Sequence, residues 1–102
     1  MLVRSNVKYI QSLSQKKFRD EEGVFVAEGP KIINELLAGQ QAEPKMIFAL
    51  KHWIDSSTTG SHQSLTEEIA ESELQRISFL SAPNQVLGVF KKPVFDHQVD
   101  AS

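Results

Sequence analysis

The side chains able to do chemistry are few, and their spacing keeps most of them apart. The three histidines, His52, His62 and His97, are isolated from one another. None stands at the i, i+4 interval that lets two imidazoles hold one metal from a helix face. Each reads as a surface or structural histidine. Serines are numerous, but no Gly-x-Ser-x-Gly turn presents one as a nucleophile. Glu67 and Glu68 are adjacent, so on a strand they point to opposite faces and cannot serve one reacting centre. No glycine-rich phosphate loop follows an apolar run, and Glu28-Gly29-Pro30 resembles one only superficially. Cysteine is absent, which removes disulfides, thiolate metal sites and thiol nucleophiles and accords with a reducing cytoplasm. The residues therefore predict no catalytic, metal or cofactor site in this chain.

What they do offer is charge and a few aromatic faces. Residues 1–19 contain Arg4, Lys8, Lys16, Lys17 and Arg19 and no acid, whereas the remainder carries an excess of seven acidic groups and the whole sums to −2. A chain that gathers its cations at one end can hold an anionic partner despite an acidic total, although such a run also suits a solvated helix face. Phe25 and Trp53 could stack on bases; Phe25, flanked by valines, suits a core, and Trp53 suits either place. Glu28 lies at the end of an apolar run and before a helix start, where site residues often sit. A carboxylate there can also accept from free helix amides. Glu28 thus reads as either structural or functional.

The elements that must carry these groups follow from periodicity. A chain of 102 residues is long enough for one small domain with a single core. The opening residues form neither a secretion signal nor a membrane span, so no membrane partner is expected. Val7, Ile10 and Leu13 recur at helical spacing, with Ser5 or Asn6 as the cap, predicting a basic helix that runs to about Lys16 or Phe18. The polar stretch Asp20-Glu21-Glu22-Gly23 breaks it. Val24–Ala27 reads as a buried strand, and Gly29-Pro30 opens a helix whose Ile32, Ile33, Leu36 and Leu37 face the core until Gly39. Pro44–Leu50 reads as a second strand, so that a right-handed βαβ crossover with parallel strands is expected. Lys51–Ile54 begins a short helix, residues 55–64 form a surface loop, and Leu65–Ile69 make a short strand. Glu71–Ile77 form a helix with Ser72 as cap, and Val86–Phe90 the last strand. Residues 92–102 read as the start of a linker. The expected fold is α/β: a three-layer sandwich with a mixed sheet of about four strands over residues 23–91, preceded by a basic helical arm over residues 1–22.

In order, Asn6, Val7-Lys8, Leu13, Lys16-Lys17, Arg19, Gly23, Phe25-Val26 and Glu28-Gly29 resemble the opening signature of SpoU/TrmH-family RNA methyltransferases. There a helix with N-x-x-V-K and a leucine leads to K-K-x-R, then F-x-x-E-G and another helix; here Lys8 follows Asn6 by only two residues. Pro83-Asn84-Gln85-Val86-Leu87-Gly88-Val89 is similar to the segment that ends the family's N-terminal domain, without the usual glycine after glutamine. The resemblance implies an α/β sandwich like the kink-turn-binding ribosomal proteins, holding structured RNA, either rRNA or tRNA. It implies that a second, knotted domain outside this chain binds S-adenosylmethionine, methylates a ribose 2′-hydroxyl and forms a homodimer. On this reading Arg4, Lys8, Lys16, Lys17 and Arg19 contact RNA phosphates, supplying salt-dependent affinity, and the chain itself performs no chemistry. Two other readings of the residues stay open: a free-standing kink-turn-type RNA binder, and a protein-interaction module whose basic helix docks on an acidic partner.

Overall fold

The computed structural model describes residues 2–39, 42–56 and 64–93. The basic arm is two helices, not one: α1 (Arg4–Ser12) and α2 (Lys16–Glu22). Tight i to i+3 amide bonds over Leu13, Ser14 and Gln15 end α1, because Leu13 must turn into the core, where it is fully buried. The acidic stretch expected to break the helix instead completes α2, and Gly23 stops it with a left-handed φ of 66° that glycine adopts without steric cost. Neither Ser5 nor Asn6 caps α1. Val3 holds the cap position without a side-chain bond, and buried Leu2, its amide donated to the Glu73 carboxylate, fixes where the helix starts.

Five further helices and strands follow the predicted order with small shifts: β1 (Val24–Glu28), α3 (Pro30–Gly39), β2 (Glu43–Ala49), α4 (Lys51–Ser56) and β3 (Thr66–Glu68). The last described elements are α5 (Glu71–Ile77) and β4 (Val86–Lys91). The cap of α5 is Ala70, not Ser72; the Glu73 carboxylate accepts the Ala70 amide at 2.9 Å.

Topology departs from expectation in one respect. The sheet order is β1-β4-β2-β3, so β1 and β2 run parallel but are not neighbours. β4 lies between them, antiparallel to both, while β2 and β3 pair in parallel. The strand carrying Val86, Leu87, Val89 and Phe90, all buried, is the most apolar and takes a central place, where both of its faces are covered. Its side chains alternate between two cores. Leu87 and Val89 join Val7 and Ile10 of α1, Leu13 at its C-terminal cap, and Leu74 and Ile77 of α5. Val86 and Phe90 join Ile33 and Trp53 from α3 and α4. The result is the expected three-layer sandwich with a four-stranded mixed sheet.

Two local corrections bear on function. Ile32, expected in the core, is 45% exposed, and only Ile33 of the α3 stripe is fully buried. Trp53 is 2% exposed and so cannot stack on a base; its indole N–H has no hydrogen-bond partner among the described residues. Phe25 is partly buried and stacks on Phe90 with centroids 5.7 Å apart.

Candidate nucleic-acid interface

Helices α1 and α2 present the predicted cations unequally. Arg4 and Lys8 stand one turn apart and are exposed, so their side chains share one stripe of α1. Lys17 is exposed, with its ammonium 5.7 Å from the centroid of the Phe18 ring. Lys16 is 80% exposed but bonded at 2.8 Å to Asp20. Arg19 is different: its guanidinium donates to the Leu13 carbonyl at 2.8 Å, satisfying a carbonyl left open where α1 ends. Arg19 is therefore committed to holding the arm together, while Arg4, Lys8 and Lys17 form no ion pair among the described residues.

Tertiary structure brings further charges to the arm. Lys92, just past β4, donates its amide to the Gly23 carbonyl and its ammonium to Asp20 at 2.6 Å. With lysines on two sides, Asp20 is held well below the usual carboxylate range, at about 2, chiefly by its bond to Lys16 and then by that to Lys92. Lys45 is half-buried at a bulge in β2, where the register against β4 shifts between Pro44 and Met46. The bulge aims its ammonium at the Tyr9 hydroxyl at 3.0 Å and at Glu22 at 3.5 Å, above the Tyr9 ring. The Tyr9 bond raises the Lys45 pKa. Neither lysine was singled out from the sequence, since bulges and strand ends leave no periodic signal.

A second set of groups gathers at the edge where β1, β2 and β3 end and β4 begins. Glu28 accepts the Ser78 hydroxyl at 2.6 Å and the Phe79 amide at 2.8 Å. Its structural role is thus real, but it pins the loop after α5 and leaves the first turn of α3 alone. Gly29 turns the chain at φ 107° and donates its amide to the Val86 carbonyl. Glu28, Gly29, Lys31, Ile32, Glu35 and Asn84 line a shallow depression of about 400 Å³. The sequence pointed to Glu28 alone here.

Of the predicted isolated groups, His52 is exposed, while His62 and His97 lie outside the described residues, as do residues 57–63 of the polar loop. No group of three or more metal-ligating side chains gathers among the described residues. No helix among them is long and apolar enough to cross a membrane.

Residues 4–88 match the family model of the MRM3-like substrate binding domain. Among solved structures, a protein assigned to the TrmH family of RNA methyltransferases from Porphyromonas gingivalis is similar with a TM-score of 0.80 at 29% identity. That alignment covers 92% of this chain and 37% of the other. An rRNA methyltransferase from Sinorhizobium meliloti, also solved with AdoMet bound, is similar with a TM-score of 0.72 at 28% identity over 93% of this chain and 36% of its own. An RNA 2′-O ribose methyltransferase shares the fold, with a TM-score of 0.63 at 20% identity, over 89% of this chain and 36% of that one. The chain thus spans little more than a third of the length of these proteins. Comparison with curated proteins gives no match.

Proposed function

The chain belongs to the MRM3-like substrate-binding domain family, and from that premise we propose that it holds structured RNA for a methyltransferase of the TrmH type. The observation that carries this reading is the family match over residues 4–88, which begins at the first cation of the arm and includes every predicted RNA-contacting residue. The matched enzymes from Porphyromonas gingivalis and Sinorhizobium meliloti support it, the second by its name extending it to rRNA.

The finer reading is that the complete enzyme transfers the methyl group of S-adenosylmethionine to a ribose 2′-hydroxyl. The AdoMet-bound relative supports the donor; the sequence resemblance supports the acceptor. On the sequence resemblance, methyl transfer and dimer formation belong to a second domain outside this chain. What this chain supplies is positioning, the placement of one ribose before a reactive centre, which lowers a barrier by removing motional freedom beforehand.

Arg4, Lys8, Lys16 and Lys17 are the phosphate contacts of this reading, with Arg19 supporting them through the α1 terminus. Each neutralised phosphate releases condensed counterions, so affinity falls as salt rises. The variant R4A/K8A/K16A/K17A is expected to bind a structured rRNA fragment more weakly. The slope of log affinity against log salt should flatten by about three. Unchanged affinity and slope would sink the reading, and tight salt-dependent binding to an acidic protein surface instead would favour the interaction module.

A further inference from the structure

Lys51 pairs with Asp55 and Lys91 with Glu43, one cation to one anion, so that each pair sums to zero. Asp20 is different. One of its oxygens accepts the Lys16 ammonium at 2.8 Å, and the other accepts the Lys92 ammonium at 2.6 Å. The three groups together keep one net positive charge. Backbone anchors set both cations in place. Lys16 lies one helical turn before Asp20 in α2. Lys92, 72 positions beyond Asp20 in the chain, donates its amide to the Gly23 carbonyl at 2.8 Å, where α2 gives way to β1. Lys92 is 41% and Asp20 45% exposed, so an incoming anion reaches both. Lys45, another cation brought to the arm, is not open in this way, because the Tyr9 ring, the Tyr9 hydroxyl and Glu22 already engage its ammonium.

We propose that Lys16 and Lys92 form one phosphate site of the RNA interface, in which an RNA phosphate takes the place that the Asp20 carboxylate holds between them. This rests on the RNA-holding reading and deepens it. It adds a cation from beyond the arm, Lys92, and an anion that the ligand must displace. Three observations carry it. A phosphodiester presents two anionic oxygens on one centre, as a carboxylate does, so it can accept from the same two ammoniums in the same manner. Both lysine stems start from anchored backbone, so the pair stays together when the carboxylate leaves. The charge left over is positive, which draws a polyanion to the place. Exposed lysines hold an exposed carboxylate weakly, so exchange for a phosphate is open and Asp20 returns to water. Asp20 thus acts as an internal counter-ion: it keeps the two lysines satisfied without RNA and weakens the grip on RNA by one charge.

The test titrates the whole chain with an rRNA stem-loop at stepped salt, and with poly-glutamate as a second polyanion. D20N should bind the RNA about fivefold more tightly, the effect of one charge at contact distance in water. Its slope of log affinity against log salt should steepen by about one. E21Q removes an equal charge one residue away, from an exposed side chain, and should gain less. K92A should bind about fivefold more weakly with a slope flatter by about one, whereas K92R, which keeps the charge, should bind as the wild type does. In the K92A background D20N should gain little, because the second ammonium is gone. Unchanged or weaker binding by D20N, equal gains in D20N and E21Q, or a full D20N gain in the K92A background overturns the phosphate site while leaving the arm's role standing. A D20N gain for poly-glutamate and none for RNA overturns it in favour of an acidic protein partner. Failure of the wild type to bind the RNA in a salt-dependent manner overturns both proposals, and the wild-type titration alone distinguishes that outcome from the others.

Discussion

Side chains of one charge and one neighbourhood differ here in what they are free to do. Arg19 and Lys17 stand two positions apart in the cationic run, yet Arg19 is spent on the Leu13 carbonyl and Lys17 is exposed. Arg19→Ala should therefore lower stability by about 1.5 kcal/mol, the low end of the range for a hydrogen bond involving a charged group, because the guanidinium is only partly buried. Lys17→Ala should leave the melting temperature unchanged and weaken RNA binding; thermal melts and RNA titrations of both variants check the division. Asp20 is a second case. Its carboxyl is held at about 2 against an ordinary 3.8 by Lys16 and Lys92. A folded-state value below the unfolded one contributes stability that is fully present above about 3.8 and lost as pH falls towards 2. Carbon-detected titration should place the Asp20 midpoint near 2 and that of the K16A/K92A variant close to 3.8. As the group is exposed, the contribution to folding is small and should fade in high salt.

At the scale of elements, α3 lies against the sheet through a glycine. A Cβ at Gly88 would stand 2.6 Å from the Phe90 ring and 3.0 Å from Ile33. Neither can yield freely, because Phe90 is fully buried and stacked on Phe25 and Ile33 is fully buried in α3. Gly88→Ala is expected to destabilise by about 1–3 kcal/mol as an overpacked core, measured by urea unfolding. The two helices α1 and α5 are tied by Glu73, whose carboxylate accepts the Ala70 and Leu2 amides and is thereby lowered from its ordinary range, the Ala70 bond being the larger cause. That stability is present above about 4.5 and is lost as pH falls. The wild type should lose stability through this acidic window by more than E73Q does, as compared by melts at stepped pH.

Across the whole molecule, β4 joins two cores by sending alternate side chains to each. Trp53 reports on the α3–α4 side, and Leu87 and Val89 belong to the α1–α5 side. Val89→Ala should shift the Trp53 fluorescence transition and the far-ultraviolet dichroism transition by the same amount, because one strand carries both cores and the domain unfolds as one unit. Separate midpoints would show that the layers unfold independently. Trp53 emission should also remain at short wavelength and unchanged on RNA binding, since its ring is buried.

By itself the sequence determined the α/β class, the order of the elements from β1 onward and the location of the cations along the chain. These are local matters: the 3.6-residue stripe of Val7, Ile10 and Leu13, the unbroken apolar run at Val86–Phe90 and the Gly29-Pro30 helix start are written in neighbouring residues. It also placed Glu28 at a strand end before a helix, but offered the free amides of that helix as its partners. Tertiary structure alone decided that β4 separates β1 from β2, that Arg19 closes a helix while Lys17 faces solvent, and that Trp53 is core. It alone decided that Lys45 and Lys92 join the arm, and that Glu28 reaches fifty residues along the chain to Ser78. Each of these depends on which distant segments meet. Periodicity says which face of an element is buried and is silent on what it is buried against.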